Sequence, residues 1–309
     1  MSTRWLITGA EGFLGRHIVA AVRAADPGAR IVRLVRTARG GRLGGDQILA
    51  NLEEPGLWQQ QVASLGSEFV VHAAGRTPPA PTEALYRGNV ASVGHLLDAV
   101  RRSDRRTRLV LIGSAAELGP VPASCLPADE SCPCRPRDAY GLSKWAATRL
   151  ALDAQTRDRL DIVVARPFNP IGPGQPPHQV FGRFARRLLQ CPVGEALIVG
   201  DVSARRDFVD VRDVARAVVA LACSGRPGSI YHVGTGVSRS VGEGLAALLA
   251  VSGRHVTLVT TRNTPTDCGD DSRAAIGRIV ADTGWQPEIA FEQSLRDLWT
   301  SLDTARGAA

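Results

Sequence analysis

The residues best equipped for chemistry are Ser114, Tyr140 and Lys144. Tyr140 and Lys144 fall in the run Asp138-Ala139-Tyr140-Gly141-Leu142-Ser143-Lys144. Asp138 reads there as a helix N-cap, and the four-residue spacing puts phenol and ammonium on one helix face. A cation beside a phenol favours the phenolate, so the pair is expected to lower the tyrosine pKa toward neutrality. The phenol could then exchange a proton with a carbonyl oxygen or a hydroxyl. All but one of the chain's 37 Lys and Arg residues are arginine, and the exception is Lys144. A compact, rotatable ammonium is not interchangeable with a guanidinium where geometry or pKa matters. Ser114 closes a buried strand pattern, where its hydroxyl can either bond a substrate oxygen or cap a turn.

The elements that must position these groups are short apolar runs alternating with helical periodicity. Residues 4–8, 31–36, 69–73, 109–114 and 162–166 read as buried strands, each followed by a helical segment. Strand then helix, repeated, implies a doubly wound parallel sheet, which binds ligands at the carboxyl ends of its strands. From about residue 167 a Pro/Gly-rich loop, RPFNPIGPGQPPHQ, interrupts the alternation, and strands are expected again at 196–199, 229–233 and 256–259. The reading is two units: a dinucleotide-binding domain over residues 1–166, and a mainly substrate-binding lobe over 167–309 that returns some segments to the first.

Thr8-Gly9-Ala10-Glu11-Gly12-Phe13-Leu14-Gly15 follows the first strand and opens a helix. Glycines at that turn let the backbone approach a pyrophosphate held against the helix N-terminus. The spacing is Gly-x-x-Gly-x-x-Gly. Where the second strand ends, NAD-selective sites place an acidic residue for the ribose. Here no Asp or Glu lies between Asp26 and Asp46, and Arg36 occupies the strand end. NADP(H) is therefore expected, with Arg36 on the 2′-phosphate and Arg16 as a second contact, unless Arg36 simply faces solvent.

Composition excludes several classes. The 309 residues are 44% hydrophobic and 22% charged with no low-complexity tract, which fits a globular protein able to enclose a site. The net charge of +7 comes from arginines spread along the chain, with short clusters such as Arg101, Arg102, Arg105 and Arg106 at a helix end. No nucleic-acid partner is expected, and an anionic small molecule accounts for the charge equally well. The opening residues run straight into a strand pattern without a basic-then-apolar leader, and no apolar run spans a bilayer. The expectation is a cytoplasmic protein without a membrane partner. Cys125, Cys132, Cys134, Cys191, Cys223 and Cys268 lack zinc-site spacing and read as free thiols, so no metal is expected.

With these residues in view, the chain resembles the extended short-chain dehydrogenase/reductases, the nucleotide-sugar epimerase/dehydratase family, over almost its whole length. The resemblance rests on TGAEGFLG, Ser114, YGLSK, Asn51-Leu52, His72-Ala73-Ala74-Gly75, Asn89, RPFNPIGPGQ, RRDFVDVRDVARA and TGWQP. It implies an α/β fold, a Rossmann-type doubly wound sheet with a smaller C-terminal substrate-binding lobe. It also implies Ser114, Tyr140 and Lys144 as the catalytic set. Cofactor contacts are implied at Gly9, Gly12, Phe13, Leu14, Gly15, Arg36, Asn51, Leu52, Ala73, Ala74, Gly75, Asn89, Tyr140, Lys144 and Pro167. Substrate contacts are implied at Asn169 and at Arg206, which alternatively pairs with Asp207, Asp210 or Asp213.

Sugar 4,6-dehydratases of the family carry acids just after the active-site Ser/Thr, where this chain has Ala115 and Ala116; elimination of water is thereby disfavoured. Glu117 follows, with Leu118 where many relatives have tyrosine. RPFNPIGPGQ is most similar to reductases acting on GDP-4-keto-6-deoxymannose. The expected function is NADPH-dependent reduction of the 4-keto group of a nucleotide-linked 6-deoxysugar, by a homodimer pairing helices at 83–102 and 140–157. The alternatives are a nucleotide-sugar epimerase, a ketoreductase for a non-sugar natural product, and a non-enzymatic NADP(H)-sensing regulator.

Overall fold

The computed structural model describes residues 2–37, 46–192, 194–260 and 271–307. Strands β1 (Arg4–Thr8), β2 (Arg30–Val35), β3 (Gln47–Leu49), β4 (Phe69–His72), β5 (Arg108–Ile112) and β6 (Asp161–Pro167) follow one another along the chain. Helices α1 (Phe13–Ala25), α2 (Leu57–Leu65), α3 (Thr82–Tyr86), α4 (Ser92–Arg101) and α5 (Ala139–Asp158) connect them. Then come β7 (Asn169–Ile171), α6 (Val180–Gln190), β8 (Ala196–Val199), β9 (Arg205–Asp210), α7 (Val211–Ser224), β10 (Ile230–Val233), β11 (Ser238–Ser240), α8 (Val241–Ser252), β12 (Thr257–Thr260), α9 (Gly277–Thr283) and α10 (Phe291–Gly307).

Seven strands form a parallel sheet in the order β10-β6-β5-β4-β1-β2-β3. The chain runs outward from β1 through β2 to β3, then restarts on the other side at β4, so the strand order reverses between β1 and β4. At such a switch point the loops leave in opposite directions and open a crevice. Side chains alternate across the sheet because strand geometry has period two. Trp5, Ile7, Val71, Val110 and Val163 join Ile18 and Val22 of α1 and Val214, Val218 and Leu221 of α7 on one face. Leu6, Val70, Leu109, Leu111, Ile162 and Val164 meet α2, α4 and α5 on the other. Each such side chain contributes about 1.5–3 kcal/mol relative to exposure.

The strand expected at 229–233 is β10, the edge strand of the main sheet beside β6, so this segment of the C-terminal part packs with the first unit. The second lobe is smaller than the first. It consists of the sheets β11-β9-β7 and β12-β8 under helices α6, α8 and α10. Its core gathers Phe181, Phe184, Leu188, Phe208, Leu245, Leu295 and Trp299. In α5, Ala147, Ala151 and Ala154 are buried against the chain's own sheet, and Leu142 is exposed. No helix among the described residues is long and apolar enough to cross a membrane. Cys125, Cys132, Cys134, Cys191 and Cys223 are free thiols, and Cys268 lies outside the described residues.

Three aspartates of RRDFVDVRDVARA pin the lobe to its surroundings. Asp207 accepts from the backbone N–H groups of Thr235, Gly236 and Ala274. Asp213 accepts from those of Glu288 and Ile289. Asp210 caps α7, binds Arg212 at 2.8 Å, and receives the Ser294 hydroxyl of α10 at 2.6 Å. Burial pushes the Asp210 carboxyl up, but the Arg212 and Ser294 hydrogen bonds outweigh it and hold the group below the ordinary value of 3.8. A depressed carboxyl stabilises the fold above its unfolded pKa and loses that contribution as pH falls through the native one. Asp210→Asn is therefore expected to lose about 1–3 kcal/mol at pH 7. Urea unfolding at pH 7 and near pH 3 checks this, since the difference from wild type must shrink in acid.

Candidate active site

The turn between β1 and α1 is built by backbone contact. Gly9 has φ +65°, and a Cβ there would lie 2.7–2.8 Å from backbone atoms of Ala73 and Ala74. A Cβ on Gly15 would lie 2.0 Å from the Gly9 carbonyl oxygen. Gly12 starts α1 without a side-chain cap, so the N–H groups of the first helical turn, at Phe13 and Leu14, are directed to the crevice. Ala74 N–H donates to the Thr8 hydroxyl, tying β4 to β1 above the turn. This bare, positively polarised cradle fits the pyrophosphate of a dinucleotide.

Around it, Asn51 is exposed, with its side-chain oxygen held by Glu53 N–H, and Leu52 is buried beside it. Arg36 is exposed at the end of β2. Arg16, expected as a second phosphate contact, donates to the Gly174 carbonyl at 2.8 Å, and His17 bonds the neighbouring Pro173 carbonyl. The two residues join the glycine turn to the Pro/Gly-rich loop. Asn89 lies in a π turn, Arg87–Ala91, that links α3 to α4. Its amide is held by Arg76 N–H, Arg76 carbonyl and Ser143 hydroxyl, which binds the loop after Gly75 to α5. Pro167 is buried at the end of β6.

Ser114, Tyr140 and Lys144 come together at the carboxyl edge of β5. Asp138 caps α5 by accepting from Gly141 N–H at 2.7 Å, as its type predicted. A Cβ on Gly141 would lie 2.4 Å from the Ala116 carbonyl oxygen, so the first turn of α5 sits directly on the 3-10 turn that Ser114 caps. The Ser114 hydroxyl accepts from Ala116 N–H and lies within hydrogen-bonding reach of the Tyr140 phenol. It is both a cap and a cleft group.

Lys144 is only 8% exposed, and its ammonium donates to the Ile112 carbonyl. Burial lowers its pKa, opposed by the charge of Glu117. The tyrosine departs from expectation. Burial pushes the Tyr140 phenol up, the Ser114 hydrogen bond lowers it, and Glu117 and Asp138 raise it further. Lys144 spends a hydrogen bond on the Ile112 carbonyl at the strand end, and burial sets the direction of the phenol's shift. The protein alone therefore presents a protonated phenol, a proton donor.

Ser114 and Tyr140 open into a cleft of about 940 Å³ between the sheet edge and the second lobe. Asn169 lines it and donates to the Asp207 carbonyl at 3.2 Å. Arg206 lines it too, with a hydrogen bond to the Arg205 carbonyl. Thr77, Arg137, Gln175 and His178 complete the wall, and sequence reasoning singled out none of them. Gln175 and His178 stand inside the recognised Pro/Gly-rich loop, which was the available signal. Gln175 is 2% exposed, gives its amide hydrogen to Gln179, and leaves its side-chain oxygen without a protein partner. Glu117 faces away from the cleft and is fully buried on Arg166, so it is not the missing elimination acid.

Residues 5–234 match the NAD dependent epimerase/dehydratase family. The chain belongs to that family. Like its relatives this epimerase/dehydratase-family protein is an oxidoreductase, and its cofactor is a nicotinamide dinucleotide. It is 30% identical to GDP-6-deoxy-D-mannose reductase of Pseudomonas aeruginosa, across 98% of both chains. It is 32% identical to dTDP-6-deoxy-L-talose 4-dehydrogenase (NAD(P)(+)) of Kitasatospora kifunensis, across 98% of this chain and 96% of that one. Its structure superposes on RMD of Pseudomonas aeruginosa complexed with NADPH with a TM-score of 0.84, at 28% identity and covering 99% of each chain.

Two glycines of the family turn separate packing from ligand approach. A Cβ on Gly12 would meet nothing closer than the Gly9 oxygen at 3.1 Å, against 2.0 Å for Gly15. Gly15→Ala is expected to lose about 1–3 kcal/mol of stability together with dinucleotide binding. Gly12→Ala should lose binding with far less destabilisation. Urea unfolding paired with NADPH fluorescence titration distinguishes the two.

Proposed function

We propose that the chain is an NADPH-dependent ketoreductase acting on the 4-keto group of a nucleotide-linked 6-deoxysugar. The observation that carries this reading is a protonated phenol beside a serine hydroxyl and a buried ammonium, at the junction of a dinucleotide cradle and a roomy cleft. Two relatives named for 6-deoxysugar nucleotides support the substrate class. The NADPH complex of a 28% identical structure supports the cofactor.

In this reading residues 1–166 hold the cofactor. Gly9, Gly12, Phe13, Leu14 and Gly15 take the pyrophosphate, Asn51 and Leu52 the adenine, and Arg36 the 2′-phosphate. Ala73, Ala74, Gly75 and Pro167 line its path across the sheet edge, with Asn89 holding that loop in place. When bound, the reduced cofactor supplies a hydride to the carbonyl carbon. Tyr140 gives its proton to the carbonyl oxygen, and Ser114 donates a hydrogen bond to the same oxygen. Lys144 has three N–H donors and uses one on Ile112. Its charge then stabilises the phenolate left behind, and a remaining N–H serves the cofactor ribose. Residues 167–309 mainly hold substrate, through Asn169 and through Arg206 on the diphosphate.

The free thiols suit a reducing cytoplasm. A homodimer through the helices at 83–102 and 140–157 fits the 41% exposure of Leu142 on the outer side of α5.

The test is absorbance of reduced nicotinamide against GDP-, dTDP- and UDP-linked 4-keto-6-deoxysugars and several non-sugar ketones. NADPH oxidation with a nucleotide sugar is the expected result. Turnover of a non-sugar ketone alone would overturn the substrate class, and tight binding without turnover would return epimerisation or sensing to the front. Tyr140→Phe should lower kcat by about 10²–10⁴-fold with NADPH binding retained. Arg36→Ala should raise KM for NADPH by about tenfold or more and leave KM for NADH nearly unchanged.

A further inference from the structure

Beneath Ser114 lies a chain of buried charge that the proposed reaction does not use directly. Glu117 and Arg166 are 0% and 1% exposed. One Glu117 oxygen accepts the Ser114 backbone N–H at 2.7 Å. The other is gripped by Arg166 through Nη2 at 2.7 Å and Nε at 3.2 Å. Arg166 also reaches His232 Nε2 at 3.2 Å and the Cys134 sulfur at 3.5 Å, and the second nitrogen of His232 is held by the Ala128 carbonyl at 3.0 Å. His232 is therefore neutral with its proton on Nδ1; burial first, then Arg166, lowers its pKa to about 3. It accepts from the guanidinium and adds no second cation.

Two further contacts show that this carboxylate occupies a made place. A Cβ on Gly113 would lie 2.6 Å from the Glu117 oxygen that holds Ser114. Lys144 meets the same strand end at the Ile112 carbonyl. Carboxylate and ammonium thus both hold the last residues of β5 and the start of the Ser114 turn.

We propose that Glu117, clamped by Arg166, is a positioning residue for the reacting set: it fixes the Ser114 backbone from below and is the buried counter-charge of the Lys144 ammonium. The inference rests on the reading of Ser114, Tyr140 and Lys144 as that set. The groups facing Lys144 leave Glu117 this role. His72 on β4 is held neutral down to about pH 3 by burial and by Lys144 itself. Tyr140 on the same helix is a protonated phenol, Asp138 is committed to the N-cap, and Arg166 on β6 takes the other carboxylate oxygen. Burial disfavours the ammonium, and Glu117 opposes that.

Because Lys144 is the sole lysine, protein labelled with [13Cε]lysine gives one lysine signal, and its titration needs no substrate. In Glu117→Gln the signal should titrate at lower pH than in wild type, with kcat reduced by about tenfold or more and KM for NADPH within about twofold. Glu117→Asp keeps the charge while shortening the reach to Ser114. Its Lys144 titration should stay near wild type while kcat falls, a split that a merely structural role does not produce. Should Glu117→Gln fail to fold, the charge-balanced Glu117→Gln/Arg166→Gln protein is titrated in its place, with the same displacement expected. A folded Glu117→Gln protein whose Lys144 titrates as in wild type overturns the counter-charge, and unchanged kcat overturns the positioning. If neither protein folds, Glu117 is scaffold alone and the proposal falls. If no ketone is reduced by wild type, the titration still stands and only the substrate reading is lost.

Discussion

Backbone-to-backbone contact at the carboxyl edge of the parallel sheet is the constraint on which the rest depends. Gly9 lies against Ala73 and Ala74, Gly15 against Gly9, and Gly141 against Ala116, each too close for a side chain. A parallel sheet delivers the ends of β1, β4, β5 and β6 to one edge, but only to within the width of side chains. Removing the Cβ at these three places closes the remaining gap. The helix that carries Tyr140 and Lys144 then rests on the turn that carries Ser114, and the cofactor turn rests on the loop beyond β4. Catalytic geometry is set by main chain, which has few ways to move, and not by rotamers.

That closeness has an electrostatic consequence. Main chain packed so tightly at a sheet edge leaves buried polar groups that must be satisfied inside the protein. The structure answers with carboxylates aimed at backbone N–H groups: Glu117 at Ser114, Asp207 at Thr235, Gly236 and Ala274, and Asp213 at Glu288 and Ile289. A buried ion pair is weak support for stability taken alone, because desolvation offsets attraction. Here each carboxylate joins segments distant in sequence, so its value is in register. Burial accordingly raises Asp207 and Asp213, whereas Asp210, with Arg212 and Ser294 on it, is lowered.

Much of this was legible in the residues. The alternation of apolar runs gave the parallel sheet, because strands buried on both faces must be continuous in apolar character. Asp138 as N-cap and the spacing of Tyr140 and Lys144 gave their shared helix face, because both are local properties of a helix. What failed was whatever depended on long-range placement. That some C-terminal segment returns to the first unit was expected, but nothing local says that residues 230–233 are the ones that do so, beside β6. The upward shift of Tyr140 was not legible because the spacing shows its nearness to Lys144 but not its burial, which is the largest cause of the shift. The place of Glu117 was not legible, because Arg166, which holds it, is remote in sequence. Gln175 gave no signal of its own, since an unpaired amide oxygen becomes visible only once every protein partner has been placed.

The way the phenol is kept matches the first step of the proposed reduction. An epimerase or dehydrogenase begins by taking a proton from a hydroxyl and needs a phenolate before hydride leaves. A reductase begins by giving one. Burial and the charges of Glu117 and Asp138 hold the Tyr140 proton in place. A reduced nicotinamide ring carries no positive charge to pull it off, whereas an oxidised ring does. The bare site is thus matched to the reduced cofactor, and the oxidised one shifts the phenol toward the form that reduction leaves behind. With Ala115 and Ala116 offering no acid or base beside Ser114, water elimination has no agent in the turn. In the proposed reaction the protein's share is to pass one proton from Tyr140 to an oxygen that Ser114 holds.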